Sequence, residues 1–100
     1  MASMTIVYWR DIPAQVIVKA GRKSAKRQLS ERFQEAIDVA AMRSRAHETD
    51  AYLQEWRRSA PVVCGDQLDA EADQAAGELE SRFSDEQLDV IAKNGGHAVG

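Results

Sequence analysis

The sequence predicts an α+β fold, with a small three-stranded, largely antiparallel sheet and helices packed on one side, in the order β-β-α-α-β-α-α. Two runs near the start are rich in β-branched and aromatic or alternating apolar residues, which favour strands. Beyond residue 28, apolar residues recur at three- and four-residue spacing, which is typical of amphipathic helices. Most of the predicted segments have one apolar face, so we expect the helices to cover one face of the sheet.

The first predicted strand is Met4–Arg10, whose apolar side chains on both faces place it inside the sheet. Pro13 lacks an amide hydrogen and interrupts the ladder. The alternating segment Gln15–Ala20 is the second strand, and the short connection predicts an antiparallel hairpin. Residues 1–3 are expected to be a mobile leader or an alternative start site.

A long helix is predicted after Gly21, beginning between Ser24 and Ser30 and ending at about Arg45. Alanines in its apolar stripe allow close approach to the sheet. The stripe consists of Leu29, Phe33, Ala36, Ile37, Ala40 and Ala41.

A loop at residues 47–49 precedes a short predicted helix, which Thr49 or Asp50 can cap. The side chains expected on one side of this helix are Tyr52, Leu53 and Trp56. The apolar run Pro61–Gly65 is bounded by proline and glycine and is predicted to be the third strand, beside the first.

Two helices are predicted at the C-terminal end. The first covers Gln67–Phe83. Ser84 and Gln87 have the spacing of a capping box, so the second helix starts just after Ser84. Asn94–Gly96 can adopt left-handed backbone conformations and is expected to end it, with residues 95–100 frayed.

The length of 100 residues fits one domain, assigned to residues 1–94 with 95–100 as a tail. A content of 44% hydrophobic and 29% charged residues is typical of a globular chain. The single cysteine cannot form an internal disulfide, which favours a reducing cytoplasmic location. No apolar stretch approaches the ~20 residues of a membrane span, so no membrane association is expected.

Charge is unevenly distributed along the chain. Residues 1–60 carry eleven Lys and Arg against seven Asp and Glu, whereas residues 61–100 carry two against nine. A candidate anion-binding segment without an acidic residue comprises Lys19, Arg22, Lys23, Lys26 and Arg27. These cations could hold phosphate groups or nucleic acid, or they could face the acidic C-terminal helices of the same chain. The net charge of −3 weighs against strong nonspecific binding to nucleic acid.

No residue set predicts catalysis. Cys64 is either a nucleophile near a helix N-terminus or a small core residue, and no partner histidine can be assigned to it. His47 and His97 are isolated, and no zinc-binding spacing occurs. The sequence also lacks a glycine-rich phosphate loop. We therefore expect no enzyme activity, no metal and no cofactor.

The segment Tyr8–Pro13 is the most distinctive in the chain. Tyr8 and Trp9 point to opposite faces of a strand, so one of them stays exposed unless both faces are covered. The candidate partner-binding residues are therefore Tyr8, Trp9, Arg10, Asp11 and Trp56. In the alternative interpretation, Arg10 and Asp11 simply pair and cap the hairpin.

Three runs carry a family resemblance: VYWRDIPAQVIVKAGR at residues 7–22, LSERFQEAIDVAAM at 29–42 and DAYLQEWRR at 50–58. Over about residues 4–90, the chain resembles the small bacterial virulence factor domain family. The resemblance implies no defined chemistry. Some members carry the domain beside an iron–sulfur-scaffold-like segment and helical repeats, and stand-alone members often neighbour genes for folate- and cobalamin-dependent methyl transfer.

These associations imply an accessory role. The sequence and the resemblance together predict a non-catalytic interaction domain that docks on a larger protein, with a methyl-transfer assembly as the implied partner. A phosphate- or nucleic-acid-binding module that uses the segment Lys19–Arg27 is the alternative.

Overall fold

The structure is a computed structural model that describes residues 2–45 and 48–97. Strand β1 (Ala2–Trp9) lies at the centre of an antiparallel sheet. Strand β2 (Ile12–Ala20) pairs with one side of β1, and β3 (Lys23–Gln28) pairs with β2. Strands β4 (Trp56–Arg58) and β5 (Val62–Cys64) both pair with the other side of β1. The α+β class is confirmed, but the sheet has five strands and not three.

Strand β3 is the largest departure from the prediction, which assigned part of this segment to a helix. Its sequence KSAKRQ contains no β-branched or aromatic residue, so local propensity gives no strand signal. The strand forms because Gly21 and Arg22 make a tight turn that returns the chain along β2. Gly21 has a φ of +61°, which glycine adopts without steric cost.

Strand β4 was also unexpected. Trp56 lies in this strand and pairs with Trp9 of β1, so it does not continue the short helix as predicted. Three residues are too few to show a periodicity, and the ladder with β1 determines the conformation. The predicted pairing of the Pro61–Gly65 run beside the first strand is confirmed as β5.

Four helices follow the predicted pattern: α1 (Glu31–Arg43), α2 (Thr49–Gln54), α3 (Leu68–Arg82) and α4 (Asp85–Lys93). The capping box is confirmed in detail. The Ser84 hydroxyl accepts from the Gln87 N–H at 3.1 Å, and the Gln87 side chain accepts from the Ser84 N–H at 2.9 Å. In contrast, α2 has Glu48 and not Thr49 or Asp50 at its N-cap.

The core lies between the sheet and the helices. Val16 and Val18 of β2 belong to the main hydrophobic cluster, and α3 packs against β2 and β3 on this side. Ile17 lies between them in sequence and is only 5% exposed, yet it is not part of that cluster. Because alternate side chains of a strand point to opposite faces, Ile17 marks the other face of the sheet.

Trp9 is fully buried, which contradicts the prediction that it could serve as an exposed anchor. Ile6 and Trp9 contact the same core although strict alternation would separate them by face. The register between β1 and β2 shifts between Val7 and Tyr8, and such an irregularity re-aims side chains. The indole Nε1–H donates to the Tyr52 carbonyl at 2.9 Å.

Near both ends of the described chain, residues make defined contacts at positions where mobility was predicted. Ala2 is buried in β1 and pairs with Cys64, so it is not a mobile leader. Gly96 is buried against the Trp9 ring and its carbonyl accepts from the Asp11 N–H at 2.9 Å, so the expected fraying does not begin at residue 95. His47, with residue 1 and residues 98–100, lies outside the described residues.

Replacing Trp9 with phenylalanine should lower the free energy of unfolding by about 2 kcal/mol, because it removes buried ring area and leaves the Tyr52 carbonyl without its donor. Urea denaturation measures this loss. The control Tyr8→Phe removes only a hydroxyl from a half-buried ring and should cost about 0.5 kcal/mol or less. Equal effects of the two variants would contradict the assignment of Trp9 to the core.

Candidate functional site

Arg10 lies in the turn between β1 and β2 and acts within the fold. Its guanidinium donates to the Gly95 carbonyl at 2.6 Å, pairs with Glu55 at 3.2 Å and lies 4.9 Å from the Trp9 ring centroid. The side chain is only 13% exposed. Its φ of 55° lies in the left-handed region, which costs a non-glycine residue about 1–3 kcal/mol, and the contacts of its side chain offset this cost. These contacts leave little of Arg10 for a partner.

Tyr8, Asp11 and Arg57 form a half-exposed cluster at the same end of the sheet. The Arg57 guanidinium lies 4.6 Å from the centroid of the Tyr8 ring. It also donates to the Arg10 carbonyl at 2.9 Å and pairs with Asp11 at 3.3 Å. Asp11 and Arg10 therefore each have an ion-pair partner on the segment that follows α2. Arg57 was not among the predicted partner-binding residues.

Trp56 is half-buried beside this cluster. Its ring meets Tyr52 edge-on, with centroids 5.9 Å apart. Trp56 also lines a small cleft of about 100 Å³, together with Phe33 and Gln34 of α1. Of the three predicted aromatic anchors, Tyr8 and Trp56 are thus partly accessible, and Trp9 is not.

Strands β4 and β5 together form one border of the sheet, here called the open edge (Trp56–Arg58 and Val62–Cys64). Val62 and Val63 are 63% and 67% exposed. Successive side chains of a strand point to opposite faces, so β5 is bare on both faces. This run was predicted to be a strand, but its position at an edge was not predicted, because the exposure of a strand depends on what the rest of the chain covers.

The opposite border of the sheet is β3, which carries Lys23, Lys26 and Arg27. Charged side chains on an edge strand discourage pairing with another strand. Within the open edge, β4 carries Arg57 and Arg58, whereas β5 has no charged residue. The two borders of the sheet therefore present different chemistry to an incoming chain.

The predicted anion-binding segment is divided between the two faces of the sheet. Arg27 points toward α3 and pairs with Asp73 at 2.5 Å and Asp69 at 3.0 Å. The hydrogen bond that Arg27 donates to Asp73, followed by the one that it donates to Asp69, raises the pKa of Arg27 above its ordinary value. Arg27 therefore faces the acidic helix α3 of its own chain. The sequence had left open whether the cations of this segment face these helices or an external anion.

The other four cations of this segment are exposed: Lys19, Arg22, Lys23 and Lys26. None of their side chains takes part in an ion pair or hydrogen bond within residues 2–45 and 48–97. Register pairs Ile17 with Lys26 and Lys19 with Ser24, which places Lys19 and Lys26 on the face opposite α3.

Cys64 ends β5 and is half-buried. Desolvation, with smaller contributions from the charges of Glu71 and Asp66, raises the pKa of its thiol above the ordinary value. A raised pKa lowers the fraction of thiolate, which is the nucleophilic form. In the described part of the chain, no group of three or more His, Cys, Asp or Glu side chains could hold a metal ion.

A further network of hydrogen bonds and ion pairs surrounds Arg32 of α1. Its contacts were not predicted from the sequence. Its guanidinium donates to the backbone carbonyls of Glu80 at 2.6 Å and Phe83 at 2.5 Å, and it pairs with the Glu80 and Asp85 carboxylates. Glu80 also accepts from the N–H and hydroxyl of Ser30 at 2.7 and 2.8 Å. Arg32 thus satisfies carbonyls at the end of α3, where a helix leaves acceptors unpaired.

A family model described as virulence factor matches residues 7–92. The chain belongs to the virulence factor family. The matched region begins in β1 and ends in α4, so it includes the Arg10 turn, the Arg32 network and the open edge. Comparison of this virulence factor domain with curated proteins and with solved structures finds no match. Among the helices of the described residues, none has the length and apolar character that crossing a membrane requires.

The Arg32 network makes stability depend on pH. Partial burial alone would raise the pKa of Glu80, but hydrogen bonds from Ser30 and Arg32 outweigh it, so the pKa lies below its ordinary value. A carboxylate with a lowered folded-state pKa stabilises the fold above its unfolded pKa, and this stabilisation is lost as pH falls through the folded value.

We expect Glu80→Gln to lower the free energy of unfolding by about 1 kcal/mol at pH 7, a value discounted for solvent screening of this part-exposed group. The difference from the parent protein should shrink as the pH falls below about 4. Denaturation at several pH values measures it. Glu78→Gln, on the exposed side of α3, is the matched control. A difference that stays constant with pH would refute the role of the Glu80 charge.

Proposed function

We propose that this virulence factor domain is a non-catalytic accessory domain that binds a larger protein, and that the open edge receives an extended segment of that partner. The observation that carries the proposal is the exposure of β5, where Val62 and Val63 are bare on opposite faces of the sheet. An uncharged, apolar edge strand is a template for pairing with another chain, and natural proteins usually protect such an edge.

The arrangement of β4 and β5 along β1 determines the length of segment that would fit. Both strands pair antiparallel with β1, β4 with Val7–Trp9 and β5 with Ala2–Met4. One incoming strand can therefore run beside both, with main-chain hydrogen bonds for affinity and side-chain contacts for specificity. Each strand alone has three residues, so we expect a partner segment that uses the whole edge.

Aromatic and arginine side chains flank one end of the open edge. Tyr8 lies beneath the Arg57 guanidinium, and Arg58 is exposed with no ion-pair partner in the described residues. Tyrosine and arginine are enriched among residues that dominate binding energy in protein interfaces. In this proposal Tyr8 and Trp56 remain contact residues from the predicted set, whereas Trp9, Arg10 and Asp11 hold the hairpin that presents them.

The state of the candidate reactive groups supports a non-catalytic role. The raised pKa of Cys64 disfavours a nucleophilic thiolate at neutral pH. Arg10, Arg27 and Arg32 are each engaged by carboxylates of the same chain. The family resemblance described above makes a folate- or cobalamin-dependent methyl-transfer assembly the partner to test first.

A charge placed on the open edge should abolish partner binding. Val63→Lys puts a desolvation cost on any strand that pairs there, whereas Val90→Lys introduces the same charge at a valine of α4 that is 49% exposed. We expect at least tenfold less partner recovered with Val63→Lys than with the parent domain, and unchanged recovery with Val90→Lys. The measurement is quantitative mass spectrometry of proteins bound to each tagged domain in native extract.

Thermal unfolding of both variants provides the control for folding. The proposal fails if Val63→Lys, folded like the parent domain, retains every partner that the parent domain retains. Recovery of a methyltransferase that depends on Val63 would support the implied partner, and loss of a different protein would support the edge but reject that partner.

A further inference from the structure

Charge is separated between the layers of this fold. None of the strands contains an aspartate or glutamate, and the acidic residues of the described chain lie in helices, turns and loops. The basic residues of the strands are Lys19, Lys23, Lys26, Arg27, Arg57 and Arg58. A sheet face that lacks carboxylates cannot neutralise its own cations.

The face of the sheet opposite α3, here called the outer face, is defined by the strand register. Rows of paired residues cross β1, β2 and β3 on this face: Ser3, Lys19, Ser24 in one row and Thr5, Ile17, Lys26 in the next. Lys19 and Lys26 are diagonal neighbours across two strands, with a typical separation of about 7–8 Å. Their spacing suits two adjacent anionic groups.

The turn after β2 adds Arg22 at the end of the outer face, whereas Lys23 pairs with Ala20 and therefore lies on the face that α3 covers. Arg22 lies in the turn and Lys23 begins β3, and both are exposed. As described above, none of these four side chains has a carboxylate partner, in contrast to Arg27. Their charge is therefore available to an external anion.

The side chains between the cations indicate the type of anion. Ser3, Thr5 and Ser24 offer hydroxyl groups, and the apolar Ile17 is only 5% exposed. Lysines together with serine and threonine hydroxyls are typical contacts to nucleic-acid phosphates. An acidic protein partner would need an apolar or aromatic anchor at the centre of the contact, and an exposed one is absent between Lys19 and Lys26.

We propose that the outer face, with Lys19, Lys26 and the adjacent turn residue Arg22, binds the phosphate backbone of single-stranded nucleic acid without base preference. These rows contain no aromatic side chain on which bases could stack, so the expected contacts are to phosphate groups, which carry no sequence information. This face adjoins the open edge, because Ser3 pairs with Lys19 on one side and with Val63 on the other.

The rest of the molecule limits the footprint to this face. Asp66 and Asp69 line a surface recess beside Lys23, and the net charge of the chain is −3. A strand that extended past the hairpin toward α3 would meet these carboxylates. Binding should therefore involve about three phosphates and depend on salt, with log K falling against log salt with a slope of about −2 for single strands.

Fluorescence anisotropy with labelled 12-mers of oligouridylate and oligothymidylate, over about 20–200 mM salt, tests the proposal. We expect both oligomers to bind the full chain with the same slope. Lys19→Gln/Lys26→Gln should weaken binding about tenfold or more at low salt and reduce the slope by about 1.4, since each lost single-strand phosphate contact contributes about 0.7. Arg43→Gln/Arg82→Gln, which removes the same charge at exposed helix ends, should leave affinity and slope nearly unchanged.

Three results would overturn the proposal: no binding of either oligomer at 20 mM salt, an equal loss of affinity in both double variants, or equally tight binding of polyglutamate of matched charge. The last result would indicate an acidic protein surface as the ligand. Circular dichroism of both variants ensures that a loss of binding is not a loss of folding.

Discussion

Burial of the Trp9 indole is the contact on which the hairpin end of this fold depends. Its Nε1–H binds the Tyr52 carbonyl, which connects β1 to α2. On another side Gly96 approaches so closely that a Cβ there would lie 2.9 Å from the ring, so only glycine fits. The same approach brings Gly95 and Gly96 within hydrogen-bond distance of the turn at Arg10. One buried side chain thus brings together the first strand, the middle helix and the end of the chain.

Central placement of β1 then determines which surfaces remain free. With β2 on one side, the other side of β1 must be covered by the short strands β4 and β5, which leave the uncharged edge at Val62 and Val63. Helices α3 and α1 are joined through Arg32, and the α3 carboxylates neutralise Arg27. The cations on the outer face have no such partner. Two surfaces of different chemistry therefore arise from one sheet, and we propose a different ligand for each.

Local signals predicted only part of this arrangement. The capping box at Ser84 and Gln87 was predicted correctly because both partners are within one turn of the chain. Strand β3 was not predicted, because its residues have low β-propensity. It forms through its ladder with β2, and local propensity does not indicate such pairing. The cations of the candidate site were identified from the charge pattern of the sequence. That Arg27 and Lys26 lie on opposite faces of the sheet follows only from the strand register. The contact of Arg57 with the Tyr8 ring was not predicted, because it exists only after β4 pairs with β1.

The sequence by itself determined the α+β class, the extents of the helices to within a few residues, the first hairpin and the resemblance to the virulence factor family, because each follows from local patterns of side chains. Only the tertiary structure decided which aromatic rings are buried, which strands form the edges of the sheet and which cations are neutralised within the chain. Those properties depend on contacts between residues far apart in sequence, such as Trp9 with Tyr52 and Arg27 with Asp73, and no local pattern encodes them.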